Sequence, residues 1–224
     1  TLYIPSLERR AIKQRIHEGT LWEYLEEKCR SHPLLYQAFR KLEKYTKYLE
    51  RFDPVTRSHP RGVFFYDELS LNRPEVYRHI SRIEERYQPP KKKLLLALPE
   101  SDQKPLHQSS LYKQIINHKL LRKIKNDIHV VFLSAAFGVI PEELDEVYPL
   151  SQYESSLDPT ARRSLALIAK GLLLITSKHE YLGAVTLYYK DLLPLIESRM
   201  PKPHFYIEYS KEKPLNQLVE EVVS

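Results

Sequence analysis

Two apolar runs of strand length, Leu94 to Leu98 and His129 to Ser134, flank an amphipathic stretch from about Ser109 to Lys125. This alternation narrows the fold more than any other feature. A strand covered on both faces reads as an unbroken apolar run, and two such strands can lie parallel only if a crossover joins them. The pattern predicts a βαβ unit. It continues with a helix over Asp158 to Ile175, β-forming residues from Gly183 to Tyr189 and a helix from Asp191 to Arg199. A strand over Phe205 to Tyr209 and a last helix from Leu215 to Val223 follow. The expected class is α/β, a helical N-terminal segment followed by a mainly parallel sheet flanked by helices.

The N-terminal part carries helix punctuation. Thr20 and Glu23 have the spacing of a capping box, which predicts a helix over Leu21 to Arg30, and Ser31-His32-Pro33 restarts the chain. Leu35, Phe39, Leu42, Tyr45 and Leu49 recur at helical spacing from about Leu34 to Phe52, where Asp53-Pro54 stops them. Val63 to Tyr66 reads as an edge strand or an extended connection. Arg73-Pro74-Glu75 opens a helix with Val76, Ile80, Ile83 and Tyr87 on one stripe, ended by Pro89-Pro90. The expected organisation is a helical segment over 1–62, a connecting strand and basic helix over 63–90, and an α/β domain over 91–224.

With 42% hydrophobic residues in 224, the chain can build a sizeable core. No segment reaches the roughly 18 consecutive apolar residues of a membrane span, and the first residues lack a signal pattern, so a cytoplasmic protein without membrane contact is expected. The single Cys29 excludes an internal disulfide framework and a Cys-rich zinc site, and the nine histidines form no metal motif, so no metal is expected on this chain. One Met, five Gly and sixteen Pro resemble the composition of heat-adapted proteins.

The net charge of +6 is uneven. Residues 1–62 and 63–130 each hold 13 basic and 8 acidic side chains, whereas 131–224 hold 9 and 13. A polyanion would be drawn to the first 130 residues. Arg78, Arg82 and Arg86 recur every fourth residue and, with Arg73 before them and Lys91, Lys92 and Lys93 after, make the sharpest candidate patch. Lys113, Lys119, Arg122, Lys123 and Lys125 form a second. A solvated helix face paired with Glu75, Glu84 and Glu85 fits the same pattern. Sixteen tyrosines offer stacking surfaces for unpaired bases, although tyrosine is also a good core and strand residue.

In a parallel sheet, ligands bind beyond the carboxyl ends of strands, where strand order reverses. That rule selects Pro99 to Pro105, and the segment from Ser134 through Gly138 and Tyr148 to Tyr153-Glu154. Lys104, near Ser109, is a candidate nucleophile or phosphate contact, with Glu100 and Asp102 available for proton transfer; a plain ion pair is the alternative. Gly138 suggests a positive φ or a close approach to a ligand. Pro141-Glu142-Glu143 looks like a helix start, whose glutamates would serve as caps and repel a phosphate. No Ser-His-Asp set, phosphate loop or dinucleotide fingerprint is present.

Two runs, Ile16-His17-Glu18-Gly19-Thr20-Leu21-Trp22-Glu23-Tyr24-Leu25-Glu26 and Cys29-Arg30-Ser31-His32-Pro33-Leu34-Leu35, resemble the end of the catalytic domain of archaeal (archaeosine) tRNA-guanine transglycosylases. Phe64-Phe65-Tyr66 and Leu71-Asn72-Arg73-Pro74-Glu75-Val76 resemble it too. The loops from Pro99 to Ser109 and from Gly138 to Tyr153 resemble the domain that follows, in that enzyme and in archaeosine synthase. The resemblance runs from about residue 10 to 155. It implies tRNA modification by a transferase, with catalytic aspartates and a zinc site in a barrel outside these residues. The synthase loop carries Pro-Cys, Lys-Pro-Tyr, Ser and His, where this chain has Pro99-Glu100, Lys104-Pro105-Leu106, Ser109 and Tyr112, which favours the transglycosylase branch.

The leading expectation is therefore a non-catalytic region or subunit that binds and positions tRNA beside a catalytic transglycosylase barrel, in the same protein or as a partner, with a homodimer open. The alternatives are an autonomous archaeosine synthase-like enzyme acting on the deazaguanine base of tRNA, and a structural interaction domain.

Overall fold

The computed structural model describes residues 3–53 and 62–224. Four helices come first: α1 (Tyr3–Glu18), α2 (Leu21–Cys29), α3 (Pro33–Lys41) and α4 (Thr46–Phe52). The capping box does not form. Thr20 makes no side-chain cap, and Glu23 is drawn instead to Arg73, 2.8 Å away. The helix expected over 34–52 is broken by a 3-10 turn at Leu42–Tyr45, after which α4 packs on the helix that begins at Pro74.

Next come β1 (Val63–Phe65) and α5 (Pro74–Glu85), the latter opened by Pro74 in its first turn, where a missing N–H costs nothing. They lead into β2 (Leu94–Pro99), α6 (Ser110–Asn117), α7 (Leu121–Ile124) and β3 (Ile128–Ser134). The helix expected over 109–125 divides because His118 turns extended and its ring Nδ1 accepts from Leu120 N, a local bond that competes with the helical ladder. The remainder is β4 (Gly138–Pro141), β5 (Tyr153–Ser155), α8 (Arg162–Lys178), β6 (Gly183–Tyr188), α9 (Leu193–Ile196), β7 (His204–Glu208) and α10 (Leu215–Val223).

The main sheet has the order β4-β3-β2-β6-β7, parallel throughout except for β4, which returns antiparallel along β3. A small parallel pair, β1 with β5, stands apart. Alternate residues of the apolar strands feed two cores. Leu96, Leu98, Val130 and Phe132 pack with α6 and α10, while Leu95, Ala97, Val131 and Leu133 pack with α5, α8 and α9. Covering both faces is the reason the strands are apolar throughout rather than alternating. Among the described residues no helix is long and apolar enough to cross a membrane.

Gly138 has φ of +76°, the left-handed region expected of it. Its close neighbour is not a ligand: a Cβ there would lie 2.8 Å from the Leu167 carbonyl oxygen. Gly171 does the same from α8, where a Cβ would meet Val139 at 2.8 Å. The two glycines let α8 lie directly on β4.

Candidate functional site

Within the main sheet β2 comes first in the chain, β3 adds on one side of it and β6 on the other, so the chain leaves β2 and β6 in opposite directions at their carboxyl ends. A crevice is expected there. It exists, with a volume of about 810 Å³, between the loop after β2 and the tyrosines that end β6. Lys104 and Gly138 lie on the same rim, because Gly138 pairs with Ser134 at the end of β3. Only Lys104 lines the crevice, which opens on the β6 side of β2.

Glu100 organises this rim. Its carboxylate accepts from Ala135 N at 2.7 Å and from Ser134 Oγ at 3.0 Å, and the Tyr153 hydroxyl donates to it as well. Lys104 Nζ stands 3.9 Å from Glu100, 4.3 Å from the centroid of the Tyr153 ring, and donates to the Ser101 carbonyl. Burial holds the Lys104 amine below its ordinary pKa, with Glu100 and Asp102 opposing. Burial, then the Glu100 charge, pushes the Tyr153 hydroxyl up. The rim therefore holds a desolvated amine against a carboxylate and an aromatic face, the contacts of a partly buried ion pair.

Ser109 is spent differently. It caps α6, its hydroxyl accepting from Tyr112 N at 3.3 Å. The Tyr112 hydroxyl in turn donates to Glu142. So Glu100 and Tyr112, standing where the synthase pattern has Cys and His, both tie loops together. The turn at Glu142–Leu144 is a single 3-10 turn rather than a helix start.

Tyr188, Tyr189, Tyr209 and Lys211 complete the crevice. The Tyr189 and Tyr209 rings meet edge to face, with centroids 5.3 Å apart. Sequence reasoning missed them because the slot that β6 takes beside β2 is a nonlocal fact. The carboxyl-end rule applied to the stretch ending at Tyr189 was the available signal.

The basic candidates divide. Arg73 is fully buried, 2.8 Å from Glu23 and 3.3 Å from Glu75, and Arg78 is buried against Glu50 and Asp53, 2.8 Å from each. Neither offers a charge to a ligand, which corrects their place in the predicted patch. Arg78 is inward because α4 packs on its side of α5, so recurrence at every fourth residue does not mark one solvent face; Arg73 precedes α5 and is enclosed by Glu23 of α2 and Glu75. Arg82, Arg86, Lys91, Lys93, Lys113, Arg122 and Lys123 are exposed, and Lys92 is half-buried. Lys93 pairs with Asp127 at 3.2 Å. Lys91 to Lys93 precede β2 and Arg122 and Lys123 precede β3, so these side chains gather at the amino end of the sheet, opposite the crevice. Lys113 lies on α6.

Cys29 is buried, its thiol donating to the Glu26 carbonyl, and among the described residues no group of three or more His, Cys, Asp and Glu is placed to hold a metal ion.

The sequence profile of a family described as a domain of unknown function (DUF5591) matches residues 76–213, from α5 past the end of the main sheet. The chain belongs to this family. The stretch typical of DUF5591 therefore contains both the crevice and the basic end. Similar proteins called tRNA-guanine(15) transglycosylase occur in Pyrobaculum aerophilum (43% identical over 156 residues), Saccharolobus solfataricus (42% over 154) and Methanocaldococcus jannaschii (39% over 155). These alignments cover 69%, 68% and 68% of this chain but only 30%, 29% and 21% of the relatives. The DUF5591 chain thus spans less than a third of the curated relatives it matches.

Proposed function

We propose that this chain serves archaeosine formation in tRNA as a binding and positioning region that works beside a catalytic transglycosylase barrel. The observation that carries the reading is the cluster of exposed Arg82, Arg86, Lys91, Lys93, Arg122 and Lys123 at one end of the sheet, in a chain whose relatives are named for guanine 15 of tRNA. Exposed guanidinium and ammonium groups on a rigid α/β frame attract the phosphate backbone and release its counterions. Such a surface holds an RNA in register without chemistry of its own.

A second reading rests on Lys104. A desolvated amine in a crevice at the strand-order switch is a reasonable nucleophile, which supports a synthase-like enzyme acting on the deazaguanine base of tRNA. One experiment separates the two. The chain is titrated with tRNA at several salt concentrations, then incubated with free lysine and tRNA bearing the deazaguanine precursor, and the nucleosides are weighed by mass spectrometry. Salt-dependent binding with an unchanged nucleoside mass supports positioning; a mass gain equal to lysine supports the enzyme.

A further inference from the structure

A separate cleft of about 360 Å³ opens between α5 and the segment after β4. It lies toward the amino end of the sheet, because β4 runs antiparallel to β3 and delivers the chain there. Ile83, Tyr87, Leu144 and Val147 form its apolar lining, and Arg82 and Arg86 line it as well. Val147 is half exposed, so the hollow is open to an incoming group.

The arginines of this cleft are not equivalent. Arg78 is neutralised by Glu50 and Asp53, whereas Arg82 and Arg86 form no ion pair among the described residues. Two open guanidiniums beside an apolar hollow are complementary to a ligand with anionic and flat apolar parts. Tyr87 is already fixed for contact: its hydroxyl meets His129 Nε2 at 3.0 Å and donates to Glu143 at 3.2 Å. A ring held in advance costs little ordering entropy on binding.

The volume sits at the small end of ligand sites, about 300–1,000 Å³, which suits one planar group rather than a helix of a partner protein. Arg86, Lys91, Arg122 and Lys123 are all exposed, and the segments before β2 and β3 share the amino end of the sheet, a spread of charge that suits a chain of phosphates better than one isolated anion. We propose that the cleft takes one unstacked base of a single-stranded RNA segment, with Arg82 and Arg86 on its flanking phosphates. This inference rests on the tRNA-positioning reading and adds to it the demand for an unpaired nucleotide.

The test uses fluorescence anisotropy of the 224-residue chain with three RNAs: a short unstructured oligonucleotide, a blunt duplex of equal length and a tRNA transcript. The variants are Val147→Gln, at an exposed position that tolerates substitution, and the double change Arg82→Gln, Arg86→Gln. The chain should prefer the single strand. Val147→Gln should cost about tenfold on the single strand and leave the duplex unchanged, since a polar side chain in the apolar mouth of the cleft penalises only a base that inserts there. The double variant should weaken all three RNAs. Single-strand affinity indifferent to Val147→Gln, or displacement of Val147-dependent binding by a polyglutamate peptide better than by RNA, overturns the cleft assignment. Failure of the tRNA transcript to bind even at low salt sinks the positioning reading itself, whereas tRNA binding that ignores Val147→Gln sinks only the cleft.

Discussion

Arg78 Nη2 lies 2.8 Å from Asp53 Oδ2, an ion pair that fastens α5 to the end of α4. Because Arg78 also bonds Glu50, removing its guanidinium takes a shared, buried cation away from two carboxylates at once. Arg78→Ala should destabilise the fold by about 3 kcal/mol, the low end for a broken buried pair, since both partners keep some solvent. Urea unfolding checks this. Arg86→Ala, at an exposed position without such partners, should leave the midpoint unchanged.

Gly138→Ala should be destabilising for two separate reasons. An L side chain at φ of +76° costs about 1–2 kcal/mol, and its Cβ would press on the Leu167 carbonyl 2.8 Å away. Thermal unfolding of the variant should show a lower midpoint, and Gly171→Ala should show the same direction because Val139 would meet the new methyl.

His79 is buried, with its pKa lowered from 6.5 to about 4, although Nε2 bonds the Val139 carbonyl at 2.7 Å. The unfolded chain therefore binds a proton at a higher pH than the folded one. Stability is complete above about pH 6.5, falls as the pH drops toward 4, and is then lower by about 3 kcal/mol from this group. Unfolding midpoints measured across that window should fall with acid. His79→Gln should flatten the slope, whatever its effect at neutral pH.

Lys104 should titrate below a free lysine amine, since burial outweighs the pull of Glu100 and Asp102. Glu100→Gln takes away the stronger of those two pulls, so the amine should drop further. Lysine-selective NMR titration of both proteins reads the shift directly, and an upward move on substitution contradicts the assignment.

The fold was legible where chemistry is local. Leu94 to Leu98 and the run ending at Ser134 had the unbroken apolar pattern of buried strands, and Gly138, in a run free of other glycine, suggested a positive φ or a close approach to a ligand, of which the positive φ is what forms. What crowded Gly138 was not legible, because Leu167 reaches strand β4 from the distant helix α8. Arg73 and Arg78 looked like Arg82 and Arg86 for the same reason: the carboxylates that bury them come from Glu23, Glu50 and Asp53, far back in the chain. Thr20 and Glu23 had a capping spacing, yet pairing with a buried guanidinium is worth more to Glu23 than an exposed cap. Tyr189 and Tyr209 became site residues only through the strand order that sets β6 against β2 and β7 beyond it.

If the amino end of the sheet grips tRNA by its phosphates, charge removal there must show in the salt dependence of binding. The measurement is tRNA affinity against salt for the native chain and for a variant with Arg82, Arg86, Lys91, Arg122 and Lys123 all changed to Gln. The variant should bind more weakly, and its log affinity should fall less steeply with log salt, by roughly 0.7–0.9 for each phosphate that is no longer neutralised. Equal affinities and equal slopes in the two proteins would refute a phosphate grip at this end of the sheet.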